Sequence, residues 1–299
     1  MKRTRAAFGR AVCLGLMVAL IGTTTVRPAL AAPSWSQIMK TFKPGWDPNS
    51  DNVCVRGDIS CVEAVVAEMK RRNKPLMDGC DHNAVFSLLY LRTTEEYLRT
   101  VKSNPNYFSN TPFVNHEDAL FALYYFRAFD AYKAGNMSKV PSAWRIAFDS
   151  AQDGSTTGGG DLLLGVSAHI NRDLPFALDA IAAPKQPNGK ADHDKVNKIL
   201  QRVQIKAIEE AARRLDPTID DTQVEGTRLD DDGFLQIVKN WREEAWQNAV
   251  LLSKEETLTT NKIETSAATQ ASTLATANRT DETGREQRDS YCAIHHNDK

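Results

Sequence analysis

Residues 119–129 read ALFALYYFRAF, and this stretch decides the fold class. Drawn as a helix, it carries apolar or aromatic side chains on nearly every side. A helix that is apolar all round belongs in the interior of a protein, because no face of it favours water. The sequence therefore predicts a central helix that begins near Asn115 and ends at Gly135.

Helical spacing continues on both sides of this central segment. Apolar residues recur at intervals of three and four, and no segment shows the strict alternation and turn signals of strands. Further helices are predicted from residue 60 to before Pro75, over 81–101, after Pro141, and over 162–183, 192–215 and 231–258. The sequence therefore predicts an all-α protein with a single helical-bundle domain over residues 60–258.

The segments outside this domain have a different composition. Residues 32–59 are rich in proline, glycine, aspartate and asparagine, which predicts an irregular N-terminal arm. Residues 259–299 form a low-complexity tail whose first part is rich in threonine, alanine, serine and asparagine. This tail is expected to be weak helix or a loosely structured segment.

Residues 1–31 have the pattern of a secretory signal peptide. Basic residues come first, the mostly apolar run 11–21 follows, and Ala29-Leu30-Ala31 matches a signal-peptidase site. The run is too short to span a bilayer comfortably, which favours cleavage over an uncleaved anchor. No other stretch reaches about 18 apolar residues. We therefore expect a secreted, extracellular protein without stable membrane insertion after cleavage.

Cleavage after Ala31 changes the charge balance. The full chain holds 37 Lys+Arg and 38 Asp+Glu, a net charge of −1. The signal peptide contains five basic residues and no acidic ones, so the mature chain has 32 against 38 and a net charge of −6. Nucleic-acid binders attract phosphates with a basic surface. The acidic mature chain argues against a nucleic-acid partner.

Cleavage also removes Cys13 and leaves an even number of cysteines. These are Cys54, Cys61, Cys80 and Cys292. An even number in an oxidising compartment predicts two disulfides, for which three pairings exist. A short loop between Cys54 and Cys61 would leave Cys80 to meet Cys292 and tie the C-terminus to the body. A zinc site built from all four is the alternative, which export and the irregular spacing disfavour.

The residues best suited to chemistry lie in the predicted helix 162–183. Residues 162–176 read LLLGVSAHINRDLPF, which places His169 and Asp173 one turn apart on an otherwise apolar stripe. Burying both costs free energy unless each finds a partner. Pro175 lacks a backbone donor and is expected to kink the helix just past the pair.

Three interpretations of this pair stay open. It can be a buried structural pair that fixes helix packing. It can ligate one divalent metal such as zinc, with His116 and His82 as further ligands. It can also act without metal, with Asp173 orienting the His169 imidazole for acid–base catalysis near neutral pH.

Other charged residues have candidate roles. Arg242 and Trp246 lie one turn apart, so Arg242 can stack on that ring or reach a buried carboxylate such as Asp173. Arg242 is thus a third candidate catalytic residue. Residues 116–118, His-Glu-Asp, are expected at a helix start, where carboxylates complement the helix dipole. His193 is expected at an exposed helix start.

Residues 168–175, AHINRDLP, resemble the signature of a family of uncharacterised, mainly actinobacterial proteins that is catalogued only as a domain of unknown function. Looser matches are Phe86-x-x-x-Tyr90 with Thr93-Thr94, the stretch 124–128, Val196-Asn197-x-Ile199-Leu200, and Arg242-x-x-Ala245-Trp246. The resemblance covers residues 80–252. It implies an all-helical fold and supplies no known reaction.

A weaker resemblance concerns residues 165–173. Their Gly-x-x-x-His-x-x-x-Asp pattern is similar to a helix of zinc-dependent phospholipase C and related nucleases. In that family this His and Asp ligate zinc, which implies the same role for His169 and Asp173. That family also has an N-terminal Trp and a second His-x-x-x-Asp/Glu helix, but Trp35 stands at a different place and His116 lacks the acidic partner. The resemblance therefore implies one metal ion or none.

Two function hypotheses follow. In the first, the exported protein is a metal-dependent hydrolase with its site at His169 and Asp173. In the second, it is a non-catalytic protein that binds a small or lipid-like apolar ligand, and the pair is structural. The ligand would then lie among the aromatic side chains Phe121, Tyr124, Tyr125 and Phe126. A pair sealed in a dry core would contradict the enzyme hypothesis.

Overall fold

Helices form most of the described chain, which confirms the all-α prediction. The computed structural model describes residues 34–219, 223–224, 227–228 and 231–298, so the predicted signal peptide lies outside the described residues. The α-helices are α1 (Trp35–Ile38), α2 (Val53–Arg56), α3 (Ile59–Asp78), α4 (Ala84–Ser103), α5 (Thr111–Lys133), α6 (Ser142–Asp153), α7 (Gly158–Ser167), α8 (Leu174–Ala180), α9 (Gly189–Arg214), α10 (Asp231–Leu252), α11 (Glu256–Ala277) and α12 (Glu282–His295).

Other regular structure in the described ranges is short. Three 3-10 turns occur at Met137–Lys139, Ala183–Lys185 and Pro217–Ile219. Strands β1 (Gln223–Val224) and β2 (Thr227–Arg228) form a two-residue antiparallel pair, in which Gln223 faces Arg228 and Val224 faces Thr227. No helix of the described ranges is long and apolar enough to cross a membrane.

Helix α5 contains the stretch 119–129 and packs against α3, α6 and α8. Leu120 and Phe126 of this helix are almost fully buried, as its apolar sequence predicts. Burial of one such side chain stabilises the fold by roughly 1.5–3 kcal/mol. The helix begins at Thr111 rather than near Asn115, because the Asn110 side chain accepts a hydrogen bond from the Phe113 amide and caps the start.

Helices α7 and α8 are joined by a π-helical segment, Ala168–Asp173, with the sequence AHINRD. The Leu174 amide donates to the carbonyl of His169, five residues back. Pro175 has no amide hydrogen with which to continue the usual four-residue pattern, and a widened turn accommodates this loss. The chain thus passes Pro175 through a π-turn.

Two other helix boundaries differ from the prediction. The prediction that the first long helix ends before Pro75 is wrong, because α3 continues to Asp78. Pro75 lies in the last turn of this helix. The predicted start of the next helix at residue 162 is also too late, because the three glycines before Asp161 belong to the helix. Helix α7 already begins at Gly158, and the hydroxyl of Thr157 accepts a hydrogen bond from the Gly160 amide as its cap.

The segments outside the predicted domain also pack onto it. In the arm, α1 and α2 are short helices, and Trp35 and Cys54 are buried in the common core. The tail differs from a loosely structured segment, because α11 and α12 fill most of it. Ile263, Ala267 and Ala271, spaced by four, give α11 a narrow buried stripe that packs on α6 and α7.

Two disulfides join the four cysteines. Cys54 is bonded to Cys61, and Cys80 is bonded to Cys292. The structure thus selects the local pairing and the long-range pairing from the three alternatives. The second bond tethers α12 to the chain just before α4.

Candidate functional site

A cavity of about 120 Å³ lies between α4, α5, α9, α10 and the α7–π–α8 helix. A single water molecule needs roughly 10–15 Å³ of such space, so the cavity accommodates several waters or a small organic molecule. Most of its lining is apolar. The polar side chains on its wall include His169, Tyr90, Glu117, Asp118 and Arg242.

The carboxylate of Asp173 is fully buried and held by three donors. Its Oδ2 accepts from Nε1 of Trp144 at 2.8 Å and lies 3.1 Å from Nδ1 of His169. Its Oδ1 accepts from Nη1 of Arg172 at 3.1 Å. Arg172 also donates to Glu264 on α11. The surrounding helices therefore fix the position of Asp173 and supply a cation to pair with it.

The His169 imidazole extends from Asp173 to the cavity. Because a carboxylate only accepts hydrogen bonds, Nδ1 of His169 carries the proton and Nε2 keeps its lone pair. His169 is 3% exposed, and Nε2 is buried without a hydrogen-bond partner among the described residues. Burial lowers the pKa of His169, and the adjacent Asp173 partly opposes this. The imidazole is therefore neutral near pH 7.

Aromatic side chains fix the plane of this imidazole. The Phe121 ring stacks on it with centroids 3.5 Å apart and planes 7° apart. The Tyr90 ring meets it edge-on at 4.5 Å, and the Phe86 ring at 5.7 Å. Phe86 comes this close to the helix because Gly165 has no side chain: a Cβ there would lie 2.4 Å from the Phe86 ring.

Tyr90 places a second unpaired polar group at the cavity. It lies on α4, and its hydroxyl is buried with no hydrogen-bond partner in the described part of the chain. Burial raises the pKa of Tyr90 well above its usual value, and the charge of Asp118 adds to this. The hydroxyl therefore stays protonated and can donate to a bound molecule.

Asp118 and Glu117, on α5, supply two carboxyl groups. Both residues are half-buried and line the cavity. Burial raises the pKa of Asp118 to about 8, with a further contribution from the charge of Glu117. Burial also raises the pKa of Glu117 to about 7, against the effect of Arg242. Oδ2 of Asp118 is buried without a partner among the described residues.

Arg242 lies at the cavity wall but does not reach Asp173. Its Nε donates to Oδ1 of Asn197 at 2.9 Å, and its Nη2 donates to the carbonyl of His193 at 2.7 Å. Burial lowers the pKa of Arg242 to about 10. The prediction that His193 is exposed is wrong, since it is 3% exposed and its ring packs on Trp246.

The four candidate metal ligands are not brought together. Both ring nitrogens of His116 bond to backbone carbonyls, those of Cys54 and Pro44, and burial lowers its pKa. His82 pairs with Asp289 on α12 at 2.7 Å. Over residues 34–219 and 231–298, the structure contains no group of three or more His, Cys, Asp or Glu arranged to hold a metal ion. Only His169 and Asp173 remain adjacent.

The aromatic ligand box expected at 121–126 is also divided. Phe121 lines the cavity, whereas Tyr125 and Phe126 pack into the core against Trp144 and Trp35. Tyr90 was not predicted as a site residue, and residues 117–118 were interpreted as helix-start carboxylates. Two adjacent acids in an otherwise apolar helix were the available signal, and they lie in the second turn of α5, past its capped start.

Comparison with known proteins gives a family but no activity. No curated protein and no solved structure matches the chain. A family model does match residues 62–277, from α3 to the end of α11, and this range contains every residue that lines the cavity. The chain belongs to the Family of unknown function (DUF5995).

Proposed function

We propose that this protein binds a small, mostly apolar molecule that carries a neutral hydrogen-bonding group. One observation supports this most directly: of the four buried side-chain polar atoms without partners among the described residues, three belong to residues of one apolar cavity, and the fourth is Nδ1 of His82. The three at the cavity are Nε2 of His169, the hydroxyl of Tyr90 and Oδ2 of Asp118. Binding sites for small molecules are typically apolar pockets with a few convergent polar groups.

The energetic argument is the cost of leaving these atoms unpaired. A buried polar group without a hydrogen bond costs about 1–3 kcal/mol, so most such groups in proteins have a partner. Three of them around one cavity indicate that a ligand group or ordered water completes the site. The apolar remainder of the lining favours a ligand with a hydrocarbon body.

The protonation states indicate the polarity of the ligand. His169 is neutral and offers a lone pair, while Tyr90 and Asp118 are protonated at neutral pH and offer donors. This pattern fits a hydroxyl or carbonyl group. None of these three groups carries a full charge at neutral pH, so burial of an anion or a cation beside them would be costly. Arg242, the cation on the wall, already donates to Asn197 and to the carbonyl of His193.

The geometry favours binding of this kind over metal-dependent hydrolysis. His116 and His82 have partners elsewhere in the fold and cannot complete a metal site at His169.

Export is part of the proposal, because two disulfides suit an oxidising compartment and the first 31 residues match a signal peptide.

Calorimetric titration of the disulfide-bonded protein with phenol tests the proposal. Benzoate and benzylammonium serve as charged ligands of related shape. We expect saturable binding of phenol and no binding of the two ions. Cyclohexanone is titrated as a second neutral ligand. The proposal would be contradicted if the two ions bound as tightly as phenol. It would also be contradicted if neither phenol nor cyclohexanone bound.

A filled cavity provides the matched control. Leu200 lines the cavity from α9, whereas Leu251 on α10 is 39% exposed. Leu200→Phe is expected to abolish phenol binding, and Leu251→Phe is expected to leave it unchanged. Thermal unfolding of both variants shows whether they retain the fold, and a folded Leu200→Phe variant that binds phenol normally would refute the location of the site.

A further inference from the structure

We propose that the cavity also catalyses proton transfer on a bound carbonyl compound, with His169 as the base and with Tyr90 and Asp118 as donors to the carbonyl oxygen. This inference rests on the proposed binding function, because the substrate would occupy the same cavity. It goes further, since it assigns an activity and a substrate class: a small, neutral ketone or aldehyde with a removable proton beside the carbonyl group.

The contacts of His169 are those of a base. Binding alone requires only one polar atom at the cavity, but this imidazole has a buried carboxylate behind it. Asp173 holds the proton on Nδ1 and leaves the Nε2 lone pair unpaired in a residue that lines the cavity. When Nε2 takes up a proton, the imidazolium is paired at once with Asp173, which compensates for charge formation in a buried site.

Asp173 is itself positioned for this task. Trp144 and Arg172 donate to its two oxygens, so it does not rely on His169 alone for its hydrogen bonds. Asp173 has no exposed surface and is therefore a positioning residue rather than a group that touches the substrate.

Tyr90 and Asp118 are suited to stabilise an oxygen that gains negative charge. Both line the same cavity as Nε2 of His169, and the Tyr90 ring lies 4.5 Å from the imidazole. Neutral donors held by protein in an apolar site stabilise a developing oxyanion without reorganisation, and a carboxylic acid kept protonated by burial can serve as one of them. Neither the Tyr90 hydroxyl nor Oδ2 of Asp118 has a partner among the described residues, so a carbonyl oxygen would not have to displace an existing hydrogen bond.

The reaction balances without any co-reactant. Nε2 of His169 takes a proton from the carbon beside the carbonyl group. The electron pair of that C–H bond forms a C=C bond, and the carbonyl π pair moves onto the oxygen, which accepts hydrogen bonds from Tyr90 and Asp118. In a saturated ketone, return of a proton from His169 to the same carbon restores the carbonyl group, which gives hydrogen exchange without net change. In a ketone with a C=C bond one carbon further on, return of the proton to the far carbon of the dienolate breaks the original C=C bond, leaves the new one conjugated with the restored carbonyl group, and leaves the protein unchanged.

The conversion of 3-cyclohexen-1-one into 2-cyclohexen-1-one tests this activity. The conjugated product is followed by its ultraviolet absorbance, and deuterium uptake beside the carbonyl of cyclohexanone in D2O is followed by NMR. We expect the disulfide-bonded protein to accelerate both. His169→Gln is expected to lower kcat for the isomerisation about 100-fold or more, the typical contribution of a positioned base. Its affinity for cyclohexanone should change little, since Gln also accepts hydrogen bonds.

The donors are tested by a conservative and a disruptive substitution. Asp118→Asn keeps a neutral donor and is expected to retain activity within about tenfold, whereas Asp118→Leu is expected to lose about 100-fold. Tyr90→Phe is expected to lower kcat more than it raises KM. A purely structural role for Asp118 would affect both variants through folding, which thermal unfolding measures, and would not give rescue by Asn.

The outcomes separate this inference from the binding proposal. A wild-type protein that binds cyclohexanone but accelerates neither reaction overturns the catalytic inference and leaves the binding site intact. Equal rates for wild type and a folded His169→Gln variant overturn the role of His169. Failure to bind cyclohexanone or phenol at all overturns the binding proposal, and the catalytic inference with it.

Discussion

Nδ1 of His169 lies 3.1 Å from Oδ2 of Asp173, and Asp173 has no exposed surface. The pair therefore connects the protein interior with the cavity. This arrangement is intermediate between a purely structural pair and a pair that lies in a functional site. Asp173 belongs to the core, as in the structural interpretation, while His169 reaches a cavity, as in the functional one.

Replacement of the buried carboxylate is expected to be costly. Asp173→Asn removes the charge that pairs with Arg172 and leaves one acceptor oxygen in place of two. Either Arg172, or both His169 and Trp144, then face an amide NH2 that cannot accept their hydrogen bonds. Removal of one partner from a buried ion pair costs about 3–5 kcal/mol. We expect a loss of this order in the free energy of unfolding, measured by urea denaturation.

Glu264 offers the matched control for this substitution. It pairs with the same arginine, Arg172, but its side chain is about one-third exposed. Exposed ion pairs contribute about 0–1 kcal/mol, so Glu264→Gln is expected to cost no more than that. Equal losses for Asp173→Asn and Glu264→Gln would refute the central position of Asp173.

The close approach of α7 to Phe86 gives a second prediction. In Gly165→Ala, the new Cβ would lie 2.4 Å from the Phe86 ring, so the ring must move. Overpacking of this kind costs about 1–3 kcal/mol. Because Phe86 lines the cavity, ligand affinity is expected to fall as well.

A double mutant isolates this contact. Phe86→Ala removes the ring atoms that would lie 2.4 and 2.7 Å from the methyl group added by Gly165→Ala and leaves only the Phe86 Cβ position, at 2.6 Å, so the glycine substitution should cost less in the Phe86→Ala background than in wild type. Urea denaturation of the four proteins in this cycle measures the difference. Strictly additive losses would show that the two residues do not interact.

The raised pKa of Asp118 predicts a pH dependence of stability. In the folded protein this pKa is about 8, against an ordinary value of 3.8. The folded state thus keeps a proton that the unfolded chain releases. Its contribution is fully present below about pH 4 and is lost as the pH rises to about 8. Glu117 acts in the same direction, with a pKa of about 7.

Asp118→Asn should therefore flatten the decline of unfolding free energy between about pH 4 and about pH 8. Urea denaturation at several pH values provides the measurement. Asp153 on α6 is exposed, so Asp153→Asn is a control that should preserve the wild-type profile. A profile unchanged in Asp118→Asn would contradict the assignment of this buried proton.

The two disulfides are expected to contribute unequally. Cys80 and Cys292 are 212 residues apart in sequence, whereas Cys54 and Cys61 are 7 apart. In the chain-entropy model, the longer loop contributes about 5 kcal/mol and the shorter about 2 kcal/mol. Paired alanine substitutions at each bond, compared by urea denaturation, test the order. A larger loss from the short loop would contradict it.

Much of the fold was predictable because helix signals are local. The stretch 119–129 is apolar all round, and its burial in α5 follows from that property. Boundaries were harder, since caps and prolines compete with tertiary packing. Pro75, in the last turn of α3, did not end the helix, and Asn110 started α5 earlier than its apolar pattern indicated.

The site was predictable only in part, for the same physical reason. His169 and Asp173 are close in sequence, so their pairing could be derived from helical spacing alone. Tyr90 and Asp118 belong to α4 and α5, and only the packing of these helices brings them to the same cavity as His169. Spacing within one helix contains no information about which neighbouring helix completes the wall.

The bond between Cys80 and Cys292 has a topological consequence. It closes the chain from just before α4 to α12 into a covalent ring, and every residue that lines the cavity belongs to that ring. A single proteolytic cut anywhere within the ring opens the backbone but leaves the fragments in one molecule. The cavity walls therefore stay tethered to each other after such a nick for as long as the disulfide remains oxidised.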